Sequence, residues 1–242
     1  MSDRSQAGSG ERLQRLTVVR HGQSTANVFW ARAIEAEDSE MVGEGIDADV
    51  ALSRLGTEQA RALGCWLVEL PEGERPGLVV CSTYLRARQT WEAMARVVAG
   101  AGADVSHAVL DERLRDREMG VFELLPPPAL RARAPEEAAR RDRLGEWFYR
   151  PPGGESLADV ALRVRDFLTE LRAADDTPAH VLLVAHDSVV LSVRHVLAGI
   201  GDPVPEETPV PNASVSSWQR APGAASPLRL VEFGSTGHLT AS

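Results

Sequence analysis

Short apolar runs alternate with longer stretches of helical periodicity along the chain. Leu16-Thr-Val-Val19 is an apolar run that stops at Arg20-His21-Gly22 and reads as a buried strand. Ser24 and Thr25 then supply a helix cap, predicting a helix through Asn27, Phe29 and Trp30. The acidic, Gly-containing stretch from Ile34 to Asp49 lacks clear periodicity and reads as a loop or broken helix. Leu52-Ser53 opens a second helix, with Leu63, Trp66, Leu67 and Leu70 at helical spacing, and the segment from Pro71 to Gly77 breaks it. Leu78–Cys81 is a second strand, followed from about Leu85 by a helix with Thr90, Met94, Val97 and Val98 on one face.

Val105 to Leu110 reads as a third strand. Residues 123–150 hold three consecutive prolines and many Arg and Glu side chains, and read as an inserted, largely helical segment apart from the core. Pro151 to Ser156 is a turn into a helix that aligns Leu157, Val160, Val164, Phe167, Leu168 and Leu171. Val181–Val184 is a strand ending at Ala185-His186, and the next helix aligns Val189, Val193, Val196 and Leu197. Two late strands fall at 213–218 and 228–233. The alternation predicts an α/β fold: a three-layer α/β/α sandwich around a mostly parallel central sheet, with a helical cap insertion. Residues 1–12 are polar and Gly-containing, and read as a disordered tail before a single domain over 13–242. No internal repeat is visible.

Charge narrows the partners. The 242 residues carry 26 basic against 35 acidic side chains, a net charge of −9, and every basic one is arginine. Without lysine, a Walker-type phosphate loop, a kinase and a Schiff-base enzyme are excluded. The acidic balance argues against nucleic acid and anionic membrane as partners. Cys65 and Cys81 form neither a CxxC pair nor a Cys/His cluster, so no disulfide framework or zinc site is indicated. No apolar run is long enough to span a bilayer, and the N-terminus lacks an apolar signal region, giving a cytoplasmic expectation. The sequence leaves the oligomeric state open.

Two histidines stand in equivalent places. His21 and His186 each follow an apolar strand and precede a helix, where open α/β sheets bind ligands and helix N-termini favour anions. Arg20 adjoins the first histidine, and Arg86 follows the second strand at a similar junction. Repetition of the arrangement makes two His and two Arg candidates for gripping one anion, although each residue alone reads as ordinary surface or core.

The stretch Val18-Val-Arg20-His21-Gly22-Gln-Ser-Thr-Ala-Asn27 resembles the RHG signature of the histidine phosphatase (phosphoglycerate mutase-like) superfamily. Further pieces resemble that family in its order: Leu52-Ser53-Arg-Leu-Gly56-Thr-Glu-Gln59-Ala60, then Ser82-Thr-Tyr-Leu85-Arg86-Ala87-Arg-Gln89-Thr90, Pro152-Gly-Gly-Glu155-Ser156 and Ala185-His186. The resemblance runs from about Leu16 to Trp218. It implies a metal-independent phosphatase, needing no cofactor, that hydrolyses a small phosphorylated metabolite through phosphohistidine on His21. It further implies Arg20, Arg86 and His186 as the electropositive pocket, with Asn27 bonding the phosphate.

In Leu114-Arg115-Asp116-Arg117-Glu118-Met119-Gly120, Asp116 stands where the family usually has the Glu that protonates the leaving group. It is one methylene shorter, and an extended backbone would point Glu118 to the same side as an alternative acid. Asp187 replaces the glycine many relatives have after the second histidine. In the cap, Arg131, Arg133, Arg140 and Arg141 read either as a solvated helix face or as a grip on a second anionic group. His107, His180, His195 and His238 match no motif and read as structural. Alternatives to the phosphatase are a phosphoglycerate mutase, which the proline-rich segment does not resemble, and a catalytically weak phospho-ligand binding protein, motivated by Asp116 and Asp187.

Overall fold

Each short apolar run between turn residues becomes a strand, and each 3.6-period stretch a helix. In this computed structural model, which describes residues 13–103, 107–199, 208–221 and 226–240, the chain runs β1 (Arg15–Arg20), α1 (Thr25–Glu35), α2 (Arg54–Glu69), β2 (Leu78–Cys81), α3 (Leu85–Gly100) and β3 (Val109–Leu110). It continues α4 (Pro127–Arg133), α5 (Pro135–Phe148), α6 (Leu157–Ala173), β4 (His180–Ala185), α7 (Asp187–Ala198), β5 (Val215–Gln219) and β6 (Arg229–Ser235). The strands form one sheet in the order β3-β2-β4-β1-β5-β6. The β3, β2, β4 and β1 pairings are parallel, while β5 runs antiparallel to β1 and to β6.

The period of two on β4 divides the core between the two faces of the sheet. Val181, Leu183 and Ala185 pack with Leu16 and Val18 against Val160, Val164 and Leu168 of α6 and Val189 and Val193 of α7. Leu182 and Val184 pack with Val19 and Val79 against Leu63 and Leu67 of α2 and Met94 and Val98 of α3. Both faces are therefore covered, as the continuous apolar runs required.

The structure departs from the sequence reading in three places. The third strand is only Val109–Leu110, on the sheet edge and with both side chains exposed; residues 104–106 and the tail at 1–12 lie outside the described residues. The late strands begin and end one or two residues further along. The 123–150 segment is helical but not apart from the core. Leu130, Trp147 and Tyr149 are buried, and Trp147 packs on Leu157 and Ala161 of α6. A helix with little apolar periodicity of its own still docks when one large aromatic finds a facing pocket.

Two glycines explain the spacing of two motifs. A Cβ on Gly22 would lie 2.3 Å from the Gly56 carbonyl oxygen, and one on Gly56 would lie 2.0 Å from the Gln23 carbonyl oxygen. The loop after β1 thus presses its backbone onto the first turn of α2. Gln59 and Ser53 hold it there, since Gln59 Oε1 accepts from Gln23 N–H at 2.8 Å and Ser53 N–H donates to Gln23 O at 2.8 Å. Alanine favours a helix over glycine by about 1 kcal/mol, but the clash with backbone outweighs it. Gly56→Ala is expected to lower stability by about 1–3 kcal/mol in urea denaturation. Equal or greater stability than the parent would show that the contact is not tight.

Candidate active site

Parallel pairing of β1 with β4 puts Arg20 opposite Ala185. The next residue on each strand, His21 and His186, therefore emerges side by side, with ring centroids 5.1 Å apart at an edge-to-face angle of 62°. Both are buried. His21 N–H donates to Ala185 O at 2.9 Å, which continues the ladder one step and fixes the loop. The His21 Nδ1 lies 2.7 Å from the Gly22 carbonyl, so Nδ1 carries the proton and Nε2 holds the lone pair. Burial first, then His186, Arg86 and Arg20, push the His21 pKa well below its ordinary value. His21 is therefore a neutral imidazole at physiological pH, with the Nε2 lone pair exposed to whatever enters the site.

The arginines arrive from separate elements. Arg20, the last residue of β1, gives one guanidinium N–H to the Val210 carbonyl and lies 3.2 Å from Asp187 Oδ2. Its Nε is buried with no protein partner. Arg86, in the first turn of α3, is 4% exposed. It contacts both carboxylate oxygens of Asp47 at 3.1 and 2.9 Å, and Asp116 Oδ2 at 2.8 Å. Asn27 lines the same cavity. Its Oδ1 closes a capping box with Ser24 and accepts from Asn212, leaving the amide Nδ2 as its remaining donor.

Asp116 is held as closely as His21. Asp116 Oδ1 accepts from Ser188 Oγ at 2.7 Å and from Arg117 N–H at 2.8 Å. Arg163 of α6 grips the backbone behind it, donating to the carbonyls of Arg113, Arg115 and Asp116. Asp116 Oδ2 lies 3.2 Å from His186 Nδ1, off the line of a hydrogen bond, so that Nδ1 is buried and unpartnered. His186 Nε2 meets Ser82 Oγ at 2.8 Å. Burial alone would raise the Asp116 pKa, but His186, Arg86 and Ser188 outweigh it and hold the carboxyl well below its ordinary range. Glu118 also lines the cavity, but its carboxylate accepts from Tyr84 Oη at 2.8 Å and is 39% exposed, away from the histidines' direct contacts.

Sequence reasoning missed several neighbours. Asp47, inside the acidic loop, carried no motif; burial, partly opposed by Arg86, pushes its carboxyl above the ordinary value. Ser82 stood in a quoted motif without a role, and Ser188, Arg163 and Arg117 gave no signal. Among the cap arginines, Arg141 reaches the cavity, whereas Arg140 pairs with Glu137 and Arg133 lies near Glu40. Asp187, in place of the glycine after the second histidine, lines the cavity beside Arg20. One nitrogen or oxygen from each of His21, His186 and Asp116 falls within 4.8 Å of the others, close enough for a metal ion. The Arg86 guanidinium on Asp116 opposes a cation there by charge.

A sequence profile described as the histidine phosphatase superfamily (branch 1) matches residues 16–232. The chain belongs to the histidine phosphatase superfamily. It is 30% identical over 223 residues to a glucosyl-3-phosphoglycerate phosphatase of Mycobacterium tuberculosis, covering 89% of this chain and 88% of the relative. It is 28% identical over 244 residues to the fructose-2,6-bisphosphatase TIGAR B of Danio rerio, covering 84% and 85%. The solved structure of a mycobacterial glucosyl-3-phosphoglycerate phosphatase with VO3 superimposes with a TM-score of 0.70 at 29% identity, covering 92% of this chain and all of that one. Within this histidine phosphatase fold, Arg20-His21-Gly22 stands at the β1 end and Ala185-His186 at the β4 end.

The buried histidines make stability depend on pH. Burial lowers the pKa of His21, His186 and His180, the last to about 4. In the unfolded chain each takes up a proton as pH falls through about 6.5, while the folded state does not. The unfolded state then binds more protons, so stability falls as pH drops from 6.5 toward 4. Asp116, held low, adds a loss in the same direction below its ordinary range, and Asp47, held high, opposes it. The melting temperature is expected to decline steadily from pH 7 to pH 4.5, and a flat profile over that range would contradict the neutral-histidine assignment.

Proposed function

We propose that this histidine phosphatase is a metal-independent phosphomonoester hydrolase acting on a small phosphorylated metabolite in a reducing, cytoplasmic setting. The observation that carries the reading is the buried, unpartnered Nε of Arg20 on a cavity that His21, Asn27 and Arg86 also line, with the His186 ring packed against His21. An unsatisfied buried donor costs about 1–3 kcal/mol, and a phosphoryl oxygen would satisfy it.

His21 Nε2 attacks phosphorus as the P–O bond to the alcohol breaks. Arg20, Arg86, His186 and the Asn27 amide hold the three phosphoryl oxygens as their charge grows, the kind of fixed-donor stabilisation that supplies the largest part of catalysis in many enzymes. Asp116 gives its proton to the departing oxygen. Its neighbours hold it ionised, and the phosphate changes that: the dianion draws on Arg86 and raises the pKa of the neighbouring carboxyl. Asp116 then takes a proton from the water that attacks phosphohistidine, releasing inorganic phosphate and restoring His21. Ser188, the Arg117 amide and Arg163 position Asp116, while Asp47 orients Arg86. A relative named as a 2,3-bisphosphoglycerate-dependent phosphoglycerate mutase, 31% identical over 183 residues in Sinorhizobium fredii, supports mutase transfer as a second reading. Phosphate release without 2,3-bisphosphoglycerate-dependent mutase turnover separates the two.

Mixing with a labile phosphomonoester and quenching is expected to trap an acid-labile phosphate on His21. His21→Ala should lose at least about 10³-fold in turnover, and chelators should leave activity intact. Asp116→Asn should lose about 10²–10⁴-fold on an alkyl phosphate and much less on p-nitrophenyl phosphate, whose leaving group needs no proton. Equal losses on both would remove Asp116 as the acid. Absence of both adduct and hydrolysis across a substrate panel would favour a phospho-ligand binding protein.

A further inference from the structure

The cavity continues past the phosphate end to a volume of about 300 Å³, enough for a small alcohol. Its far wall is built by the cap. Helix α5 breaks at Gly145, whose φ of 73° and ψ of 159° lie outside the helical region, and the next residue is Glu146. The Glu146 carboxylate accepts from Arg117 Nη1 at 3.0 Å and, through its other oxygen, from Arg141 Nε. Arg117 spends its other nitrogens on the carbonyls of Glu155 and Tyr149, both at 2.7 Å. It is 9% exposed and serves the scaffold, leaving Arg141 as the remaining guanidinium of this wall.

The balance of charge in the cavity is unusual for a site that would bind two anionic groups. Arg20, Arg86, Arg117 and Arg141 line it, against six carboxylates: Asp47, Asp116, Glu118, Glu123, Glu146 and Asp187. The first two arginines serve the reacting phosphate. A second phosphate on the substrate would meet Glu118, Glu123 and Glu146 with one partly neutralised arginine to offset them. Sugar hydroxyls, by contrast, donate well to carboxylates. Trp30, Leu157, Leu191 and Met119 supply apolar surface against which a carbon skeleton can lie.

Resting on the phosphatase reading, we propose that this pocket selects monophosphates of uncharged, hydroxyl-bearing alcohols. Glu146 sets the choice by holding Arg117 and Arg141 against a second anion. The TIGAR relative is named for fructose 2,6-bisphosphate, which carries two phosphates; this pocket is built to disfavour such a substrate.

The test compares kcat/KM for fructose 6-phosphate and fructose 1,6-bisphosphate, with p-nitrophenyl phosphate as a probe of the phosphate end alone. The parent protein is expected to prefer the monophosphate by at least about tenfold. E146Q should shift the bisphosphate-to-monophosphate ratio upward by about 10- to 100-fold, the scale of one charge-assisted hydrogen bond regained. Adding Arg141→Met to E146Q should cancel that shift. A parent that prefers the bisphosphate, or an E146Q ratio equal to the parent's, overturns the proposal. If E146Q does not fold, the parent's own preference decides. Hydrolysis of p-nitrophenyl phosphate with the wrong preference sinks this inference alone, whereas no hydrolysis of any substrate and no adduct on His21 sinks the phosphatase reading with it.

Discussion

The in-register parallel pairing of β1 and β4 is the constraint on which the rest depends. Because Arg20 lies opposite Ala185, the two strands end together and deliver His21 and His186 to one point. Pairing of β2 with β4, Cys81 opposite Val184, extends the line, so Ser82 meets His186. A slip of one residue in either ladder would turn a histidine to the opposite face of the sheet. Register is secured by burial on both faces, since Leu182 and Leu183 each fill a different core layer. The core on both sides of the sheet is therefore what aims His21 and His186.

Around that point, positive charge is met by negative charge at each step. Arg86 holds Asp47 and Asp116, Arg20 holds Asp187, and Arg117 and Arg141 share Glu146. An unpaired buried guanidinium is expensive, and these carboxylates offset its desolvation. The same pairing prepares a response to substrate. In the proposed reaction, a phosphate that engages Arg86 would weaken its hold on Asp116 and favour the protonated carboxyl that leaving-group departure needs.

The ordered motifs were legible because each has a local cause. Gly22 and Gly56 mark a backbone contact too close for a Cβ, and Ser24 and Asn27 mark a capping box. The Pro-Gly-Gly-Glu-Ser turn packs against the 118–121 segment: Glu155 N–H donates to Glu118 O, and Val121 N–H to Pro152 O. Asp47 was not legible. It reaches Arg86 from 39 residues away in sequence, across a loop without periodicity. Arg163 was hidden as well, since a charged residue on an amphipathic helix looks like solvated surface until the chain it grips has been folded against it. The cap's contact with the core escaped for a similar reason, because Trp147 docks on α6 through tertiary packing alone.

By itself, the order of apolar runs and turn residues determined an α/β sheet covered on both faces, and put His21, His186, Arg20 and Arg86 at strand or helix ends. These are local properties, set by side-chain period and by backbone needs within a few residues. Only the tertiary structure decided which carboxylates complete the site. It gave Asp116 the contact with His186 and Arg86, left Glu118 on Tyr84, and brought Asp47, Asp187 and Glu146 to the arginines. Ion pairing between distant segments depends on distances of a few ångströms and on burial, and neither is written in the spacing of residues along the chain.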